Sequence, residues 1–372
     1  MSDEALRTSL LDLHFELQKT QVPLILGGGY GLFLRQMNLA VLDQKTLIPP
    51  EKWPQARSTE DLDLFLQAEV VGNKDHVEAI RSSLDLLGYK PIESAKHFQF
   101  SKTPNDRSGV KLDFLTGPIT PDIEALVKKS DFRVSCRAAS SKFHAYLTEE
   151  ALSLNEALLE IPLNGKLSTG VEYSANILIP NTFTFLLMKM HAFYDLVNEP
   201  KKEQGRHHAL DIYRIIAMMN SSEYDKTVEL LDFHKTARPC QHASFIQSNF
   251  FSKKELLGII RLMEHESFHD KMDVDTLRAI LEELFEPVTA VKADQTAKKR
   301  SAPAELAKTE PAVAATPGVD LPNWLAQVNQ ASSIEAVLSI VESFRPSIWS
   351  DEERAQMAKM YIKKIDRIRK LD

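Results

Sequence analysis

The stretch "DLDLFL" sets Asp61 and Asp63 two residues apart. On a strand, successive side chains alternate between faces, so both carboxylates project from the same one. Two like charges at that spacing repel unless a cation lies between them; a solvated strand face is the plainer alternative. A third acid, Asp113, stands in "VKLDFL" among apolar residues, and an acid in an apolar strand needs a partner. Three carboxylates from neighbouring strands make an oxygen-rich site suited to Mg²⁺, which completes its octahedron with water and phosphate oxygens. Upstream, "LILGGGYGLFLRQ" places Gly27, Gly28 and Gly29 between an apolar run and helical spacing. A glycine-rich turn between strand and helix exposes backbone N–H groups at the positive helix end, and glycine lets phosphate approach the main chain.

The elements that position these residues follow from periodicity. "VPLILGG" has the pattern of a short buried strand, "YGLFLRQMNLA" of a helix, and "DLDLFL" of a strand with one wet face. "KDHVEAIRSSLDLLGY" is an amphipathic helix ending near Gly88, and "KHFQFSK" and "GVKLDFLTG" are strand-like. The order is that of an α+β unit with a small mixed sheet, assigned to residues 1–140. Beyond it the pattern is mainly helical, apart from a hairpin at "LLEIPLNGKLSTGVEYSANILIP"; this second part is assigned to residues 141–291. Residues 292–320 are rich in Ala, Pro, Lys and Thr with few large apolar side chains, the composition of a disordered linker. Amphipathic spacing returns in 321–372, a small helical tail.

"GGGYGLFLR", "RSTEDLDLFL", "KLDFL" and "ILIPNTFTFLLMKMHAFYD" with "HHALDIYRI" resemble, in order and type, the nucleotidyltransferase-fold toxins of the AbiEii family of type IV toxin-antitoxin systems. The likeness covers roughly residues 20 to 220. It implies a polymerase-beta-like core in which Gly27 and Gly28 hold the triphosphate of an NTP, Asp61 and Asp63 bind metal, and Lys189 and Asp211 complete the site from the helical part. It also implies transfer of a nucleotide to an acceptor such as a tRNA 3′ end, and a cognate antitoxin as partner. Where the wider superfamily often has Ser or Thr after the first glycine, this chain has Gly28 and Gly29.

Lys189 lies on a helix whose Phe185, Leu186, Ala192, Phe193 and Leu196 form an apolar stripe. Its ammonium either snorkels to solvent or points into a cleft, and Asp211 on the next helix is the partner that would hold it there. Arg35 and Arg57 are candidates for phosphate contact through bidentate guanidinium donors, a surface ion pair being the alternative. "HESFH" gives His265, Glu266 and His269 the H-E-x-x-H spacing of a zinc metalloprotease; a polar surface turn is the competing reading. A catalytically silent protein that keeps the fold and binds a partner is the other class left open.

The formal charge of −7 over 372 residues does not advertise nucleic-acid binding, though it says nothing of local faces. Cys136 and Cys240 are far apart and outside any metal spacing, which predicts a reducing compartment without disulfides. The first residues are acidic and helical rather than signal-like, and no apolar run spans a bilayer, so the expected location is the cytoplasm, away from membranes.

Overall fold

The strand that carries Asp61 and Asp63 lies inside a mixed sheet whose neighbours come from distant parts of the chain. The computed structural model describes residues 3–42, 44–56, 59, 61–95, 97–102, 109–197, 203–285 and 321–332, with 336, 340, 360, 361 and 364 beyond them. The chain divides into two units, Met1–Ala293 and Asp294–Asp372.

The first unit runs α1 (Asp3–Gln18), β1 (Ile25–Leu26), α2 (Gly28–Val41), β2 (Asp61–Leu66), α3 (Ala68–Gly72), α4 (Lys74–Leu86), β3 (Lys90–Pro91), β4 (Gln99–Ser101) and β5 (Lys111–Thr116). It continues with α5 (Pro121–Glu124), β6 (Val127–Ser130), β7 (Arg133–Cys136), β8 (Ala145–Leu147), β9 (Leu159–Lys166) and β10 (Glu172–Ile179). Helices α6 (Thr182–Leu196), α7 (Glu203–Ala217), α8 (Ser221–Phe233), α9 (Arg238–Ile246), α10 (Leu257–Met263) and α11 (Val274–Phe285) follow. The strands form one sheet in the order β6-β7-β8-β5-β2-β1-β10-β9, with β3 and β4 joined to it through β5. Strands β2 and β5 are parallel and β1 runs antiparallel to β2, so the sheet is mixed as its sequence predicts.

Alternation sets the register. Leu62, Leu64, Leu66, Leu112 and Phe114 are fully buried, each contributing about 1.5–3 kcal/mol by leaving water. A one-residue slip would drive the acids into that apolar layer, so Asp61, Asp63 and Asp113 are held on the opposite face. Helix α1 packs on β2, β9 and β10, whereas α2 packs on β2 and reaches α7. Helix α6 is apolar all round: every residue from Thr182 to Met190 is buried, among α7, α8 and α9. Asn181 starts it by accepting the Thr184 N–H at 2.8 Å.

The boundary expected at residue 140 falls within this sheet. Strands β8, β9 and β10 lie beyond it, and β10 pairs in parallel with β1 at Ile25 and Leu178. The hairpin read near 158–180 is present as β9–β10, paired from Leu159–Ile179 to Lys166–Glu172. In the second unit, Val328 and Ala331, the latter just beyond the end of α12 (Leu321–Gln330), pack with Trp324, Leu325, Ile340 and Tyr361. The expected linker at 292–320 lies outside the described residues, as does much of the tail. No helix among the described residues is long and apolar enough to cross a membrane.

Candidate active site

Parallel pairing of β2 with β5 sets Asp63 opposite Asp113 and Asp61 opposite Lys111. Register partners share a face, so three carboxylates and an ammonium group meet on one surface. Lys111 Nζ stands 3.2 Å from Asp113 Oδ2 and 3.5 Å from Asp61 Oδ2, an internal cation between two acids. Thr59 donates to Asp61 Oδ1 at 2.9 Å, and Gln99, opposite Asp113 on β4, donates to Asp113 Oδ2 at 2.9 Å. Asp113 Oδ1 is buried with no hydrogen-bond partner among the described residues.

The electrostatics record a crowded site. Burial, then Asp61 and Asp113, push the Asp63 carboxyl up to about 7, with Lys189 and Lys111 opposing. Both ammonium groups therefore stand within electrostatic reach of Asp63. Asp113 is also raised, by burial first and by Asp61, against Lys111 and Gln99. Burial works to lower Lys111, but Asp113 and Asp61 outweigh it and raise the ammonium. The surplus of negative charge is the signature of a site that takes up a cation.

The glycines close the site on its other side. Gly27 precedes α2 as its N-cap, and its N–H donates to the Asp63 carbonyl at 2.8 Å. That amide ties β1 to β2 and is already engaged by the Asp63 carbonyl. Gly28 and Gly29 open the helix, which no side chain caps. Gly28 has φ +61°, and a Cβ there would sit 1.7 Å from Asp63 Oδ2. Asp63 thus lies against bare backbone at the positive end of α2. Gly28→Ala is expected to destabilise the fold by about 1–3 kcal/mol through its positive φ and to move the carboxylate; thermal melts and nucleotide binding measure the two effects.

From the helical layer, Lys189 Nζ reaches Asp211 Oδ2 at 2.8 Å, both nearly inaccessible to solvent. Arg214, one turn on, gives Asp211 Oδ1 a second cation at 3.0 Å and donates to Gln36 at 2.9 Å. Asp211 bridges two buried cations, and Gln36 links the cluster to α2. Sequence reading missed Lys111, Gln99, Thr59 and Arg214. The i, i+3 spacing of Asp211 and Arg214 was a usable signal, and Lys111 shares the Asp113 face by simple alternation.

Arg35 is placed elsewhere. It is seven residues from Gly28, about 10 Å along the helix from its N-terminus. Its guanidinium is buried, makes two 2.9 Å contacts to Glu223, and donates to the Met218 carbonyl at 3.2 Å and Thr182 at 3.3 Å. It fastens α2 to α6 and α8 instead of facing the carboxylates. Arg35→Met is expected to lower stability by about 2–3 kcal/mol and leave nucleotide affinity unchanged; a denaturant titration and a binding isotherm check both halves. Arg57 lies outside the described residues.

Neither a protein-family model nor a curated protein matches the chain. Among solved structures, it is similar to the antibiotic-resistance factor ANT(2'')-Ia, at 12% identity and a TM-score of 0.29, covering 63% of this chain and 99% of that one. A likeness that low carries no argument, and the site rests on its own geometry.

Among the described residues no three acids, histidines or cysteines converge closely enough to hold a metal ion as they stand. The donor chemistry nonetheless suits Mg²⁺. All three carboxylates offer hard oxygen ligands, Asp113 Oδ1 lacks a partner, and the repulsion at Asp63 calls for added positive charge.

The zinc alternative fails on geometry. Residues 264–270 form turns rather than a helix, so His265 and His269 do not share a helical face. The Ser267 N–H donates to His265 Nδ1 at 3.0 Å, and His265 Nε2 lies 2.9 Å from His207 Nδ1. His269 Nε2 is bonded to the Trp53 carbonyl at 2.9 Å. Arg206, on the same helix as His207, pairs with Glu264 at 3.3 Å.

Proposed function

We propose that the protein is a nucleotidyltransferase that moves a nucleoside monophosphate from an NTP to an acceptor hydroxyl. The observation that carries this reading is the convergence of Asp61, Asp63 and Asp113 on one sheet face beside the uncapped, glycine-built start of α2. The N–H groups of Gly28 and Gly29 bind phosphate oxygens at the helix end. Lys189, held by Asp211, adds positive charge beside Asp63 as negative charge builds on the leaving pyrophosphate. Asp61, Asp63 and Asp113 would hold Mg²⁺, which supplies Lewis-acid stabilisation of the phosphates when bound. Asp113 takes the proton from the acceptor hydroxyl at its unpartnered Oδ1; its burial makes it a stronger base than an exposed carboxylate. The new bond joins the acceptor oxygen to the α-phosphorus, and the bond from that phosphorus to pyrophosphate breaks. Lys111 neutralises Asp61 and Asp113, a charge that bound Mg²⁺ would supply in its place. On the resemblance to AbiEii toxins, the acceptor is RNA such as a tRNA 3′ end, the setting a toxin-antitoxin pair with a cognate antitoxin, and the location cytoplasmic.

A second reading, a silent protein that keeps the fold, is favoured by one observation: Lys111 stands between two of the three acids. Incubation with each labelled NTP, Mg²⁺ and total RNA or total protein separates the two. Labelled product supports transfer; no product with any acceptor and no binding of Mg²⁺·NTP establishes the silent reading.

A further inference from the structure

An aromatic cluster lies open to solvent on the same sheet, away from the nucleotide end. Phe132, in the β6–β7 turn, is 42% exposed and Tyr146, on β8, 36%. Their ring centroids are 4.8 Å apart, and Phe98 adds a third ring 5.5 Å from Tyr146 and 6.2 Å from Phe132. Large aromatic side chains grouped at a surface mark a binding site more often than they decorate one. Register ties them to the carboxylates. Tyr146 pairs with Leu115, two residues beyond Asp113 on β5, so its Cα lies about 8 Å from that of Asp113 and on the same face. Arg133 pairs with Tyr146 in turn, and Lys128 with Ser135 two residues further along β7, so both continue that face outward.

The surroundings are basic. Residues 126–142 hold Lys128, Lys129, Arg133, Arg137 and Lys142 against the single acid Asp131, a local +4 in a chain whose total is −7. Lys128, Lys129, Arg137 and Lys142 are exposed, and Arg133 makes a long 3.5 Å contact with Asp131 and a 3.3 Å bond to Ser130. Glu150 and Asp195 stand within electrostatic reach of Tyr146, so the cations of the hairpin are what a polyanion would follow away from it. Aromatic stacking surface flanked by a track of cations fits one ligand chemistry: unpaired bases on a phosphate backbone.

We propose that the β6–β7 hairpin and the Phe98–Phe132–Tyr146 cluster bind single-stranded nucleic acid, stacking a base on Phe132 and Tyr146 and leading its phosphates over Lys128 and Arg133. The strand end is thereby delivered to Asp113. Only that last step rests on the nucleotidyl-transfer reading; the binding surface stands on its own geometry.

Fluorescence anisotropy of the full chain with labelled oligouridine RNA, oligothymidine DNA and a duplex tests the proposal without any NTP. Single strands are expected to bind more tightly than duplex, and the RNA and DNA arms show which sugar is preferred. Phe132→Leu, which keeps an apolar side chain in an exposed turn, is expected to weaken binding about 5-fold to 100-fold through lost stacking, with its salt slope unchanged. Lys128→Gln is expected to reduce that slope by about 0.7, one phosphate contact. Wild-type affinity in Phe132→Leu, or displacement of RNA by polyglutamate as readily as by unlabelled RNA, overturns the proposal. Mg²⁺·NTP binding, measured separately, distinguishes the two readings: NTP bound with no oligonucleotide bound defeats the platform alone, and the converse defeats the transferase alone.

Discussion

Asp63→Asn is expected to abolish nucleotide transfer and, above pH 7, to make the protein harder to unfold. The loss of rate should be on the order of 10³-fold or more, about 4 kcal/mol of transition-state stabilisation, because Asp63 is the acid nearest both the helix end and the other two carboxylates. The gain in stability follows from the same crowding. The Asp63 carboxyl titrates near 7 in the folded protein against a reference of 3.8. Between those values the native state holds a proton that the unfolded chain has released, so stability falls as pH rises from about 4 to about 7 and stays low above it. Asparagine carries no charge at any of these pH values and removes that penalty. Asp63 is only partly buried, so solvent screening cuts the full linkage value and a gain of about 1–2 kcal/mol is expected. Thermal melts at pH 5 and pH 8 check the sign: the variant's gain on the wild type should be clearly larger at the higher pH. A variant that transfers nucleotide at the wild-type rate would remove Asp63 from the site.

Much of this arrangement was legible because it depends on short-range rules. The alternation in "DLDLFL" and "VKLDFL" set each acid on its strand's wet face, and the apolar residues between them could go nowhere but the core. The partnership of Lys189 with Asp211 was also foreseeable, since a lysine in so apolar a helix needs an anion. Register was not legible. That Lys111 faces Asp61, turning a triad of acids into acids with an internal cation, depends on how two strands 50 residues apart slide past each other. Arg35 misled for a related reason: its guanidinium suits a phosphate, but its partner, Glu223, lies on a helix 188 residues further along the chain. Strands β6–β8 escaped notice because they are only three or four residues long and β6 and β7 carry lysine, arginine and serine; of the three only β7 alternates in burial.

The second large effect is expected at Asp211, and it falls on stability, whereas that at the neighbouring Lys189 falls on the rate. The buried cluster holds Lys189 and Arg214 around a single carboxylate. Asp211→Asn takes away the buried anion that both cations contact, which should cost about 3–5 kcal/mol of stability. Lys189→Met removes one cation, keeps most of the side-chain volume and leaves the Asp211–Arg214 pair intact, so stability should change by less than about 1.5 kcal/mol. Its effect falls on chemistry instead: with the ammonium beside Asp63 gone, transfer should slow by about tenfold to a thousandfold, or about 1.4 to 4 kcal/mol. The double variant decides whether the residues act together. If Lys189 is costly only because it has lost Asp211, combining the two should restore about 1–3 kcal/mol relative to Asp211→Asn alone. Denaturant unfolding of the two single variants and the double variant measures this directly. A double variant no more stable than Asp211→Asn would mean that the lysine reaches solvent when its partner is removed, and that its burial is a consequence of the pair rather than of the helix around it.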